Sequence, residues 1–480
     1  MSEQKTEIMQ RRVGLLEAVA MITGLVLGSS VFVLVPMMTG MTGPSVFLAY
    51  LVAAIPALFV VLFEIQLMGT LPVTGANFVT ITRCLSPFWG SVISFAAVVA
   101  LLSSNILVSI AFAQYVIGFI QSFIPAFTMN ETIIAIAITL IFALINFLGV
   151  TFTAKTQIIM FFGFIIGLGI FGIVGSAHYN PANMTPLFPN GMLMFIVVIV
   201  LASFSWGGLV ALADIGGEVK NPRRNLPLAI ILAFLILCIF YTWPPFALVS
   251  SMNWQEVAQI GTTAVMVDAD RLMPGWGIWV IFIAAMCVML TTLNALLWSA
   301  ARDMVAWGRD GLLPRACTHL NSKFKSPDVA LLIVTLIQIG GISIAATLDK
   351  YAIADVLAVM LIQIFLAWAV MRIPNKMPDL YKKSLFKFNS FWRWFTFIGT
   401  VITSSFVWIF AIVLDMMDEA GNPTKFPWVF MVFILIIVLG VIWYFVRKAY
   451  LKGKGVDLDA NLTRIADATL AEAEERQSIE

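Results

Sequence analysis

Gly28, Ser29 and Ser30 stand consecutively inside an apolar run, "LVLGSSVF" at residues 25–32. Gly loosens a helix by up to about 1 kcal/mol relative to Ala, and a Ser hydroxyl offers the backbone an alternative partner. A helix interrupted there exposes N–H donors at the start of the next half-helix, which with the helix dipole suit a carboxylate. The carbonyls left before the break suit an ammonium or a sodium ion. A second run, "FSWGGL" at 204–209, sets Phe204, Ser205, Trp206, Gly207 and Gly208 in a similarly apolar stretch. Small residues also serve close packing between membrane helices. Two breaks at matching places in two halves of a chain favour a central ligand site.

The elements that must hold these residues are membrane helices. The 480-residue chain is 61% hydrophobic and 11% charged, against about 25% charged for soluble proteins, and its mean hydropathy is +0.98. Apolar stretches long enough to span are read at 14–39, 45–69, 89–119, 131–150, 156–176, 192–216, 226–250, 275–307, 328–347, 351–372, 391–415 and 426–447. They predict an all-α polytopic membrane protein of twelve helices, because the backbone must satisfy itself inside lipid. No segment alternates like a barrel strand. The breaks fall in the first and sixth spans, which run in opposite senses. With both termini in the cytoplasm, Arg271, Lys350 and Lys425 alone of the 28 Lys and Arg residues fall on outer segments, as the positive-inside rule requires. The net charge of +2 is therefore no sign of nucleic-acid binding but faces anionic lipid.

Other polar residues inside spans are candidates by default. Ser103, Ser104 and Asn105 cluster in the third span, where Asn105 serves either the site or a helix–helix hydrogen bond. Thr291 and Thr292 in the eighth span offer hydroxyls to a sodium ion, or bond back to their own helix. Asp214 either carries a proton or pairs with an inner-loop Arg. Asp355, near the outer end of the tenth span, and Gln363 are further candidates. Trp206 offers a cation–π face, a lid or simple packing. Glu17, Glu64, Arg302 and Asp310, near inner helix ends, are read as gates or structural pairs.

Four stretches in this order resemble the amino acid–polyamine–organocation (APC) superfamily of transporters: "LGSSVF", "LPVTGANF" at 71–78, "FSWGG" with "GEVKNPRRNLP" at 217–227, and "NALLWSAARDMVAWGRDGLLP" at 294–314. The resemblance covers nearly the whole chain. It implies a LeuT-type fold, a five-plus-five inverted repeat at 14–176 and 192–372, with helices 11 and 12 at 391–447 and cytoplasmic segments at 1–13 and 448–480. It further implies alternating access, with a substrate carboxylate at Gly28, Ser29 and Ser30 and an amino group at carbonyls near Phe204–Gly208. The chain departs from the family pattern at Ser30, where relatives usually carry Gly. It departs again at Phe164, seven residues after Gln157, where many relatives carry a Lys that fills an ion position.

The resulting expectation is a secondary transporter, symporter or exchanger, for a neutral or zwitterionic amino acid or related small amine, coupled to sodium or a proton. The substrate and the lipid bilayer are its expected partners, and the cell membrane its location. A membrane-embedded enzyme is disfavoured: the only histidines are His178 and His319, and no nucleotide-binding frame surrounds "GKG" at 453–455. A non-transporting sensor of the same ligand class is disfavoured by a tail of 30 residues at most, read as a short helix or a disordered end without chemistry. Cys84, Cys238, Cys287 and Cys317 lie in or inside the membrane, so no cofactor, metal cluster or disulfide-linked partner subunit is expected.

Overall fold

The computed structural model describes residues 13–71, 76–149, 154–209, 219–324, 326–344, 346–417 and 423–463. These are helical almost throughout. Bridges pair Val13 with Val219 and Met417 with Pro423, and no longer strand forms among the described residues.

The chain opens with α1 (Leu15–Leu27), α2 (Val35–Thr42) and α3 (Val46–Thr70), followed by α4 (Ala76–Cys84), α5 (Pro87–Gln121), α6 (Glu131–Phe147) and α7 (Ala154–Ala177). Next come α8 (Gly191–Phe204), α9 (Pro222–Ser251), α10 (Trp254–Ile260), α11 (Ala264–Leu272) and α12 (Gly277–Asp310). The last are α13 (Asp328–Ser343), α14 (Leu348–Lys376), α15 (Pro378–Lys383), α16 (Ser390–Met416) and α17 (Trp428–Lys452). Starts are written in the sequence: Ser86 precedes Pro87 and accepts from Trp89 N, and Asn130, Asn253 and Asn389 each cap the helix that follows.

Nine stretches of the described residues are long and apolar enough to cross a bilayer. One of them, Leu15–Thr70, has 56 residues; as a single helix it would run about 84 Å, against a hydrocarbon core of about 30 Å. It is divided at Gly28–Ser29 and again at Gly43–Pro44. Glu131–Phe147 and Asp328–Ser343 are shorter apolar helices. The protein is therefore an all-helical, multi-pass membrane protein.

Burial orders the bundle. The most apolar window of α14 is 72% buried, whereas that of α17 is 17% buried. The first therefore runs through the interior, and the second shows apolar side chains to lipid. α14 packs on α5 and α16, α9 on α3 and α7, and α12 on α7 and α5. α1 and α8, which carry the two runs of small residues, pack inside this set against α9 and α3. The expected short helix in the tail forms at 458–463, and its Leu458 and Leu462 are buried against Tyr444, Phe78 and Phe88. Asn461 also donates to the Asp310 carbonyl at 2.9 Å, so this segment is seated on the end of α12.

Candidate functional site

The first run breaks its helix. α1 stops at Gly28, whose φ of 48° and ψ of −145° suit a residue without Cβ. Ser29 follows, and the chain re-enters through a π-helical turn at Ser30–Leu34, with Phe32 N and Val33 N donating to the Ser29 carbonyl at 3.1 and 3.0 Å. Ser29 and Ser30 are buried; among the described residues the Ser29 hydroxyl has no hydrogen-bond partner, and the Ser30 hydroxyl lies beside that of Tyr241 without completing a hydrogen bond of good geometry. A buried polar group without a partner is costly. π-turns inside helices occur frequently at functional sites.

The second run breaks likewise. α8 ends at Phe204, and the backbone tightens: Ser205 N and Trp206 N donate to Ala202 O and Ser203 O, each at 3.1 Å, and Leu209 N donates to Trp206 O at 3.2 Å. Trp206 is buried against Phe234 and Tyr241, and its indole Nε1 has no partner. Asp214 lies outside the described residues.

The two breaks meet. A Cβ on Gly208 would sit 3.2 Å from Val26 Cα, so the two backbones touch. The Tyr241 hydroxyl of α9 lies 2.6 Å from the Val26 carbonyl and 2.7 Å from the Ser205 carbonyl. One hydroxyl proton thus serves two carbonyls, one from each broken helix. Tyr241 stacks on Tyr50 of α3 with ring centroids 5.3 Å apart, and both rings are fully buried. Sequence reasoning missed this residue. Its signal was a tyrosine in the middle of a span, beside Pro244 and Pro245, rather than at an interface where tyrosines usually gather.

The remaining candidates separate into groups. Thr292 donates within reach of Gly24 O in α1 at 3.1 Å and Val288 O at 3.0 Å, and its methyl group approaches Gly28. Thr291 bonds back to Cys287 O and Val288 O of its own helix. Ser104 of α5 donates to Asp355 Oδ1 of α14 at 2.8 Å. Asp355, in the third turn of α14, is buried, and a Cβ on Gly207 would lie 3.1 Å from its Oδ2. The structure therefore sets a carboxyl group beside the second break. Asn105, one residue from Ser104, takes a different face. Its Oδ1 accepts from Gln338 Nε2 of α13 at 3.1 Å, in a cluster with Ser109 and Thr139 of α6. Gln363 accepts from Ser404 of α16, and Phe164 is packed in the core.

The break in α1 and the end of α8 thus meet inside an apolar helical bundle. The amino acid permease family model matches residues 13–441. The chain belongs to the amino acid permease family. Among relatives, the branched-chain amino acid permease of Bacillus subtilis is 23% identical over 342 residues, covering 67% of this chain and 72% of the relative. The Asc-type amino acid transporter 1 of Mus musculus is 23% identical over 339 residues, covering 68% and 63%. The methylthioribose transporter of Bacillus subtilis is 24% identical over 347 residues, covering 68% and 73%. Membership in this permease family bears out the APC resemblance drawn from the four sequence stretches.

Proposed function

We propose that this permease is a secondary transporter that moves a neutral or zwitterionic amino acid, or a related small organic amine, by alternating access. The observation that carries the reading is the meeting of the two breaks: Gly208 lies against Val26, and Tyr241 reaches a carbonyl of each broken helix. A site whose walls belong to two broken helices changes shape when either moves, which is the requirement for alternating access. The hydroxyls of Ser29 and Ser30 and the indole N–H of Trp206, none of which completes a well-formed hydrogen bond among the described residues, are polar groups available to a substrate.

The same reading takes the fold as LeuT-type, with inverted repeats at 14–176 and 192–372. In support, Leu15–Thr70 divides at Gly43 into two passes. With that division and the two shorter apolar helices, the passes number twelve, which returns both termini to one side, the cytoplasmic face of the cell membrane. Thr292 is the favoured ion-coupling residue, since it alone of the threonine pair reaches α1.

Uptake into proteoliposomes tests the reading, using a panel of neutral amino acids and small amines with and without sodium or proton gradients. Saturable uptake or exchange of at least one member is expected. No saturable flux across the panel would sink the proposal.

A further inference from the structure

Among the described residues, the Asp355 carboxyl group lies against the second break, beside Gly207. It is buried in the interior helix α14. Among the described residues its one hydrogen bond is that donated by Ser104 to Oδ1, and it makes no ion pair with any of them. A lone hydroxyl compensates a buried carboxylate poorly, and such a group persists in a membrane span where it meets a cation, a proton or a partner. Oδ2 lies close to the backbone of Gly207, where a Cβ would come within 3.1 Å of it.

A second observation limits where a cationic group could otherwise go. Broken helices ordinarily offer carbonyls to an ammonium. Here the Val26 and Ser205 carbonyls, one at each break, are both within 2.7 Å of the Tyr241 hydroxyl. An ammonium entering between the breaks therefore meets carbonyls that already share one proton from Tyr241, whereas the Asp355 oxygen beside Gly207 accepts from no donor among the described residues.

We propose that Asp355 receives the ammonium group of the substrate, with Ser104 holding the carboxylate in place and Gly207 leaving it room. The inference rests on the transport reading and narrows it: the protein selects compounds carrying an ammonium and rejects the same carbon skeleton without one. The anion-binding turn at Ser29 and Ser30 takes the opposite pole of a zwitterion.

The test measures binding to the purified full-length protein in detergent, using L-alanine with propionate and L-leucine with 4-methylpentanoate. Each pair compares an amino acid with its deaminated acid. Asp355→Asn, which keeps the shape and removes the charge, is expected to lower amino acid affinity at least about tenfold. It is expected to leave affinity for the deaminated acid within twofold. Equal amino acid affinity in wild type and variant overturns the inference while leaving transport intact. Unchanged affinity with loss of proton-driven uptake also overturns it, because the carboxylate then carries a proton. A wild type that neither binds nor transports any amino acid or amine overturns the transport reading and this inference with it. Gly207→Ala guards against a misfolded Asp355→Asn: its methyl group, 3.1 Å from Oδ2, is expected to weaken amino acid binding in a monodisperse protein. Unchanged affinity there also overturns the proposal.

Discussion

Two polar clusters lie inside this apolar bundle, and they are built differently. In the first, Asn105, Ser109, Thr139 and Gln338 tie α5, α6 and α13 together through one another. In the second, at the meeting of the breaks, the Ser29 hydroxyl and the Trp206 indole N–H are buried without a partner among the described residues, and the Ser30 hydroxyl lies beside Tyr241 without a well-formed bond; in the first cluster such an unmet atom is confined to Gln338 Oε1. Both clusters are made of ordinary neutral side chains. Residue type therefore does not distinguish a structural group from a binding group inside a membrane; the destination of each hydrogen bond does. Tyr241 belongs to the second cluster but acts as the first does, by joining helices.

The largest break in this comparison should come from Tyr241→Phe. The ring stays stacked on Tyr50 and against Trp206, while the Val26 and Ser205 carbonyls lose their shared donor. A stability loss of about 1–3 kcal/mol follows from orphaning buried acceptors. Uptake should fall more than tenfold, because the two broken helices no longer move as one. Flux and thermal stability measured on the same preparation check this. Wild-type flux in Tyr241→Phe would show that the hydroxyl only fills space.

Asn105→Ala should be next, and different in kind. It removes one of the three acceptors of Gln338 Nε2 in the first cluster, at a cost of about 1–2 kcal/mol, and should leave substrate affinity within twofold. A changed order of substrate preference would instead return Asn105 to the binding site and erase the distinction between the clusters. Ser30→Gly should do the reverse. It removes a hydroxyl that lies beside Tyr241 without completing a well-formed hydrogen bond among the described residues, so thermal stability should move little. Competition between pairs of substrates should shift severalfold, and unaltered ratios would remove Ser30 from the site.

The breaks themselves were legible because helix-loosening residues are a local property: "GSS" and "WGG" act on the backbone that carries them. Family membership was legible for the same reason, since its four stretches are local. What joins the breaks was not. Tyr241 is over thirty residues from Ser205 and over two hundred from Val26, and no periodicity links a span's tyrosine to carbonyls on two other helices. Asn105 and Ser104 are neighbours in sequence, yet successive helical residues turn by about 100°. One therefore faces α14 and the other α13. Asp355 was placed near the outer end by counting along its span, which gives depth but not neighbours. In the tail, Leu458 and Leu462 stand at i and i+4, a one-faced pattern easily lost in a polar segment.

The smallest effect on transport is expected outside both clusters, at Asp268 of α11, in the loop region between α9 and α12. Burial pushes its carboxyl up to about 6, against the lowering effects of the Ser251 hydroxyl bond, Arg271 and His178, and with a small further rise from Glu256. Ser251 Oγ donates to Oδ2 at 2.6 Å. Between the ordinary value of 3.8 and about 6, the folded state holds a proton that the unfolded chain has released. Stability therefore falls as pH rises through that window and is level on either side of it. The two values imply a change of about 3 kcal/mol. Thermal unfolding of wild type from pH 4 to 7 should show the decline, and Asp268→Asn should lose it while substrate affinity stays within twofold. A pH-dependent affinity that disappears in Asp268→Asn would mean that this loop, and not only the pair of breaks, controls access to the site.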